Sequence, residues 1–394
     1  MYGQKKEIVS SFPLSILMIS TNYYPLVGGT ERSAERLSIA LASRGHNITM
    51  LTLRRNKLWP SSELQHGVKV YRYWCLNRPK LFAITSMLSY TVFLIVKGHS
   101  FDIWHLHQSG LNVSIAVLLG KLLRKKVIFK MVYSCGNVGL SGMIATRRFP
   151  FLSIALHKRI DALIVLTRET EAEANLFGIN SMRTIKIGNG VDTSAFYPRN
   201  IYDRIELKEK LGITSSNTVI SVGRLASEKN IDGLLHAWGM AKKSLSGSWK
   251  LLIVGDGPMR NVLEKIIRDQ ALEESVCLLG MQNNIEEWMA ASDIYVLSSP
   301  SEGMSNTLIE AMASALPVVT TKVSGAIELV EETGAGIVVE VGNMRKLADA
   351  LIKLSGDSSL RNKMGFNGHQ VIEKNFTIQA VTDKYEALYY NLIK

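Results

Sequence analysis

S-S-P-S-E-G-M-S-N-T-L-I-E-A-M-A-S-A-L-P, from Ser298 to Pro317, follows an apolar run, Ser292 to Leu297, that reads as a buried strand. Glu302 then falls in a loop and Glu310, eight residues later, inside a helix. At 1.5 Å per residue, eight residues of helix would put the two carboxylates about 12 Å apart. That separation spans a sugar and the ribose of a nucleotide diphosphate. Ser305 is the natural N-cap of the helix. The free backbone N–H groups of Ser305 to Leu308, together with the helix dipole, favour a phosphate between the carboxylates.

Upstream, Arg224 and Lys229 follow another apolar run, Thr218 to Val222. In open α/β sheets ligands bind beyond the carboxyl ends of strands, so both cations can reach a cleft and neutralise a leaving diphosphate. Gly28 and Gly29 sit between the first strand and a helix, where glycine lets backbone approach an oxyanion. Gly255 and Gly257 begin a dinucleotide-like G-x-G, but Arg260 occupies the third glycine position and weakens that reading.

The same alternation runs through the whole chain. Strands are expected at Ser15–Ser20, Asn47–Leu53, Val68–Tyr73, Asp102–Leu106, Lys126–Met131 and Ala162–Leu166, with helices such as Glu31–Ser43 and Asn112–Leu123 between them. A second set covers Thr218–Val222, Trp249–Val254, Val276–Leu279, Ile294–Leu297 and Val318–Thr320. Apolar strands joined by helices imply parallel sheets covered on both faces. With 394 residues this means two doubly wound Rossmann-like domains facing each other across a cleft. Pro198, Asn200 and the polar run Tyr202 to Lys210 interrupt the pattern and mark the boundary: 1–196 and 197–376. The last segment, residues 377–394, reads as an amphipathic helix with Val381, Tyr385, Leu388 and Leu392 on one face.

The net charge of +12 lies entirely in the first half. Residues 1–195 hold 25 Lys and Arg against 10 Asp and Glu, whereas residues 196–394 hold 21 against 24. An anionic partner follows. No module or aromatic–basic platform for nucleic acid is present, so an anionic membrane surface is the better candidate. Leu81 to Val96 is uncharged and flanked by Arg78, Lys80 and Lys97. It is short for a spanning helix, which needs about 20 residues, and suits an interfacial or buried one. Cys75, Cys135 and Cys277 are scattered without metal or disulfide spacing, as in a reducing cytoplasm. Leu14 to Ser20 is read as the first strand and not as a signal peptide.

Taken in order, G-G-T-E-R (Gly28–Arg32), R-G-H-N-I-T-M-L-T (Arg44–Thr52), N-G-V-D-T-S-A-F (Asn189–Phe196), V-G-R-L-A-S-E-K-N (Val222–Asn230), L-I-V-G-D-G-P (Leu252–Pro258) and the E-x7-E of Glu302 and Glu310 resemble the family 4 retaining glycosyltransferases. The resemblance covers nearly the whole chain and implies a GT-B fold. It implies that the first domain binds the acceptor, the second binds the nucleotide sugar, and helix 377–394 packs back on the first. By the same carry-over Arg224 and Lys229 bind the donor pyrophosphate, Glu310 the ribose hydroxyls and Glu302 the donor sugar. Gly303, Met304, Ser305, Asn306, Thr307 and Leu308 line the diphosphate and sugar, and the nucleobase lies near Gly280 to Asn284. No base-reading residue can be named.

No cofactor and no metal are expected, because the chain has no D-x-D pair and no zinc spacing. Retention is implied by the family, with the leaving phosphate oxygen taking the acceptor's proton. Otherwise His105 and His107, at a strand end, are the base candidates, and Lys130 is an acceptor or base candidate with them. The family's His after the fifth strand is missing, and Lys130, Tyr133 and Ser134 stand in its place. Ala315 replaces a common glycine, which reads as a packing detail. The expectation is a metal-independent retaining transferase using a UDP- or GDP-sugar. It would act on a glycan or lipid-linked acceptor in cell-surface polysaccharide assembly, in the cytoplasm or on the membrane's inner face. Alternatives are a sugar-nucleotide epimerase or hydrolase on the same fold, or a non-catalytic nucleotide-sugar-binding subunit.

Overall fold

The structure is a computed structural model that describes residues 12–25, 28–76, 78–107, 110–132, 150–179 and 183–394. Tyr133 and Ser134 lie outside the described residues. The apolar runs form two sheets. The first holds β1 Ser15–Ile19, β2 Asn47–Leu53, β3 Ser62–Gln65, β4 Val68–Tyr73, β5 Ile103–Leu106, β6 Lys126–Met131, β7 Ala162–Val165 and β8 Thr184–Lys186, in the order β3-β4-β2-β1-β5-β6-β7-β8. Only β3 runs antiparallel to its neighbour among these strands. The second holds β9 Asn217–Val222, β10 Trp249–Val254, β11 Val276–Gly280, β12 Ile294–Leu297, β13 Val318–Thr321 and β14 Gly336–Val339, all parallel, in the order β11-β10-β9-β12-β13-β14.

The described helices of the first half are α1 Gly29–Ser43, α2 Pro79–Lys97, α3 Leu111–Leu122, α4 Pro150–His157 and α5 Arg168–Leu176. Those of the second are α6 Ile201–Lys210, α7 Ile231–Ala241, α8 Arg260–Asp269, α9 Ile285–Ala290, α10 Asn306–Ala313, α11 Met344–Gly356, α12 Ser358–Asn375 and α13 Ile378–Ile393. Each sheet buries apolar side chains on both faces. Strand order reverses between β1 and β5 in one sheet and between β9 and β12 in the other. These switch points open crevices at the strands' carboxyl ends, where ligands of such sheets bind.

Several expectations are corrected. The polar run Tyr202 to Lys210 is a helix, α6, and not a break. Asn200 Oδ1 caps it by accepting from Asp203 N at 2.9 Å. None of its residues is fully buried, so it carries no strong apolar stripe to read. The strands β3, β8 and β14 lie at sheet edges and are mostly half-buried or exposed, so they lack the buried run that marks most of the others. Ala315 is more than a packing detail. Its φ of 57° is left-handed, a conformation that costs an L-residue about 1 kcal/mol and that glycine adopts freely.

The uncharged segment becomes α2, which buries Ser89, Tyr90 and Leu94 but leaves Leu81, Ile84, Leu88, Val92, Ile95 and Val96 exposed. With the turn Gly98–Ser100 it is long and apolar enough to cross a membrane by length and composition alone. At the other end α13 lays Val381, Tyr385, Leu388 and Tyr389 into the first domain's core, beside Leu37, Leu41 and Met18. An ion pair from Arg44 to Asp383 (2.7 Å) and a hydrogen bond between His46 Nε2 and Glu386 Oε1 (2.8 Å) flank that contact.

The domains meet along a polar seam. Lys130 on β6, 3% exposed, donates to Ser33 Oγ (2.9 Å) on α1 and Asn189 Oδ1 (2.8 Å). Asn189 donates in turn to Met304 O (3.1 Å) and Asn306 Oδ1 (2.8 Å) in the second domain. Asn306 Nδ2 returns to Gly29 O at 2.6 Å. Gly303 fits only because it lacks a side chain: a Cβ there would lie 1.8 Å from the Val132 carbonyl oxygen.

Burial lowers the Lys130 ammonium to a pKa of about 7. An unfolded lysine keeps its proton to about pH 10.4, so between these values the unfolded chain binds the extra proton and raising the pH favours folding. The useful window ends near pH 9, above which unfolded tyrosines ionise before the buried Tyr73, Tyr90 and Tyr389, whose pKa values are raised by desolvation. Between pH 7 and 9 wild type is expected to gain up to about 1.4 kcal/mol per pH unit from this group, and Lys130→Met to lack that gain. Urea denaturation of both proteins across the window checks this. Identical pH slopes would mean that Lys130 titrates as an ordinary lysine.

Candidate active site

β9 and β12 are neighbours, so the loops that leave their carboxyl ends run side by side. Beyond β9 the chain passes Gly223 and Arg224, makes a short 3₁₀ turn over Ser227–Lys229, and enters α7 through left-handed Asn230. Beyond β12 it runs through Glu302 to Ser305, whose hydroxyl caps α10 by accepting from Leu308 N at 3.4 Å. The loops are tied together. Ser298 Oγ donates to Lys229 O (2.9 Å), and Asn230 Nδ2 donates to Ser298 O (3.2 Å). The expected pair Lys229 and Glu302 is thereby brought into contact: Nζ to Oε1 is 2.5 Å, and Ser299 Oγ donates to the same oxygen at 2.8 Å.

Glu310 lies one turn along α10 from Asn306 and is 1% exposed. Its Oε1 is paired with Arg36 of α1, a residue that sequence reasoning missed. A helical arginine normally reads as solvated surface, and only a contact between residues 274 apart reveals it. Lys229 and Arg36 thus balance Glu302 and Glu310. Arg224 is exposed on the loop after β9 and makes no ion pair among the described residues. Charge and free helix donors together suit a phosphate. Thr307 is fixed by the Tyr295 hydroxyl (2.7 Å), and Met304 and Leu308 are buried under the loop.

The glycine loop faces this helix. Gly28 caps α1, its N–H donating to Glu31 Oε2 (3.1 Å), and Gly29 O receives Asn306. The G-D-G glycines do something else: a Cβ on Gly255 would sit 1.9 Å from Gly223 O, and one on Gly257 2.4 Å from Leu225 O. They let the loops after β9 and β10 stack, which explains the incomplete dinucleotide pattern. The Gly280 to Asn284 region follows β11, an edge strand separated from β12 by two others, and touches the site through Gly255 N to Gly280 O (2.8 Å).

His105 and His107 do not line an open cleft. Both are fully buried, with ring centroids 4.2 Å apart. His105 Nδ1 bonds the Tyr389 hydroxyl of α13 (2.8 Å) and His107 Nε2 lies 3.3 Å from Met18 Sδ. Burial first, then the Lys130 charge for His105 and the His105 ring followed by Lys130 for His107, pushes both imidazoles well below their usual range. They are neutral core groups, His105 anchoring α13 through Tyr385 and Tyr389 and His107 stacked behind it. Lys130 likewise sits in the seam, facing neutral acceptors.

Comparison with known proteins agrees with this arrangement. Residues 27–195 match the profile of Glycosyltransferase Family 4, and residues 203–371 that of Glycosyl transferases group 1. The N-acetyl-alpha-D-glucosaminyl L-malate synthase of Bacillus anthracis is 27% identical over 96% of this chain and 98% of its own. The UDP-Gal:alpha-D-GlcNAc-diphosphoundecaprenol alpha-1,3-galactosyltransferase of Escherichia coli is 26% identical over 94% and 95%. Among solved structures Anabaena Alr3699/HepE, crystallised with UDP, superposes with a TM-score of 0.79 at 18% identity, over 96% of this chain and 100% of that one. Two profiles that together take in most of the chain, and relatives aligned along almost its full length, place this protein in the family 4 glycosyltransferases with the GT-B fold.

Proposed function

We propose that the enzyme transfers a sugar, with retention, from a UDP- or GDP-sugar to a hydroxyl of a lipid-linked or polysaccharide-precursor glycan. The observation that carries this reading is the contact of Lys229 with Glu302 beside the N-terminus of α10, one helix that also bears Glu310. Arg224 and Lys229 bind the diphosphate, and the first N–H groups of α10 add donors that need no reorganisation as charge grows on the leaving oxygen. Glu302 holds donor-sugar hydroxyls and Glu310 the ribose, while Gly28 and Gly29 close over the phosphates from the first domain. In the transfer the acceptor oxygen bonds to the anomeric carbon as the bond from that carbon to the phosphate oxygen breaks. The departing phosphate oxygen takes the acceptor's proton. Burial of His105, His107 and Lys130 supports this route over a side-chain base.

The acceptor is read from two features. The Escherichia coli relative is named for a diphosphoundecaprenol substrate. The first domain also presents the exposed apolar face of α2, rimmed by exposed Arg78, Lys80 and Lys97. An apolar face with a basic rim suits the surface of an anionic bilayer. We read the protein as cytoplasmic, peripheral on the membrane's inner face.

Slow donor hydrolysis across UDP-, GDP- and ADP-sugars, followed by NMR without added metal, tests the reaction. Wild type should consume one UDP- or GDP-sugar and release the donor's own anomer first. Glu302→Ala should be at least about 100-fold slower, the order lost with one well-placed polar group in an active site. Release of the opposite anomer would contradict retention, and lasting turnover that added glycan acceptor leaves unchanged would favour a hydrolase. For the membrane, flotation with anionic vesicles at low salt should carry the protein, and Ile84→Glu/Leu88→Glu should abolish it. Wild type that ignores such vesicles would point to a soluble acceptor.

A further inference from the structure

The ion pair of Arg36 and Glu310 joins α1 to α10, and so one domain to the other. It is made by one nitrogen and one oxygen, although guanidinium and carboxylate can pair through two parallel bonds. The second atom of each, Arg36 Nη1 and Glu310 Oε2, is buried and has no hydrogen-bond partner among the described residues. Buried polar atoms of native proteins are almost always satisfied, and charged ones most strictly. The guanidinium is also confined, its Cζ lying 5.8 Å from the centroid of the Phe196 ring. An unused donor and an unused acceptor therefore belong to one ion pair, its arginine side chain 20% exposed and its carboxylate 1%, on the carboxylate assigned above to the ribose.

We propose that Arg36 is a specificity residue for the donor nucleotide: with Glu310 it forms a clasp, shared by the two domains, for the vicinal diol of the ribose. One hydroxyl donates to Glu310 Oε2 and the oxygen of its neighbour accepts from Arg36 Nη1. The ligand supplies the two bonds that the protein leaves unmade. Because one half of the clasp comes from each domain and both atoms are shut from solvent while the domains are together, the diol enters as the domains part and is recognised as they close on it. This inference rests on the assignment of Glu310 to the nucleotide ribose.

The test is equilibrium titration of the full chain with UDP, GDP and their 2′,3′-dideoxy counterparts, for wild type, Arg36→Met and Arg36→Lys. Wild type should prefer the ribonucleotide by about tenfold or more, the worth of a hydrogen bond to a charged group. Arg36→Met should shrink that preference several-fold by weakening the ribonucleotide while leaving the dideoxy form bound as before. Arg36→Lys, which keeps the charge but not the fork, should recover part of it, and it carries the comparison if the Met variant does not fold. Equal weakening of both nucleotide forms would reduce Arg36 to a structural brace and overturn the proposal. Wild type that binds all four without a diol preference would overturn the clasp alone. Wild type that binds none would overturn the donor site as well.

Discussion

One side-chain amide holds the two halves of this enzyme in register. Asn189 is buried at the domain junction and uses its full hydrogen-bonding capacity. Its oxygen accepts from Ser33 (2.9 Å) and Lys130 (2.8 Å), and its nitrogen donates to Met304 O (3.1 Å) and Asn306 Oδ1 (2.8 Å). The start of α10 is thereby fixed against α1 and β6, and Glu302, Ser305 and Glu310 inherit their positions from it. Gly303 completes the constraint, since only a residue without a side chain lets its loop meet Val132.

Electrostatic balance follows from the same closure. Four charges pair off as Lys229 with Glu302 and Arg36 with Glu310, so the cleft carries charged groups without a large net field. Arg224 and the dipole of α10 remain to attract an anion. Lys130 faces only neutral acceptors and is discharged near neutral pH, a state burial favours because an isolated buried ammonium is costly. The neutral His105 behind it packs against Tyr385 and Tyr389 of α13, which explains why a polar residue stands in an otherwise apolar strand.

Much of this was legible in the sequence because local rules sufficed. The strands at Asn47–Leu53, Lys126–Met131, Trp249–Val254 and Ile294–Leu297 are runs whose residues are almost all buried, and the Ser305 cap announces α10. The spacing of Glu302 and Glu310 and the position of Lys229 after β9 are likewise local facts. What stayed hidden depends on contacts between distant segments. Arg36 looks like any surface arginine until α1 is laid along α10. His105 and His107 look like bases until α13 covers them, and α6 lacks a buried stripe. Ala315 reads as a small change in volume, whereas its cost is set by a backbone angle that composition does not display.

The central claim is that the loops after β9 and β12 form the donor site, with Lys229 and Arg224 gripping its diphosphate. Calorimetric titration of UDP and GDP into wild type, Arg224→Ala and Lys229→Ala tests this most directly. One nucleotide should bind wild type, and each alanine variant should weaken it by about tenfold or more, as expected for losing a charge-assisted phosphate contact. Unchanged affinity in both variants would contradict the account.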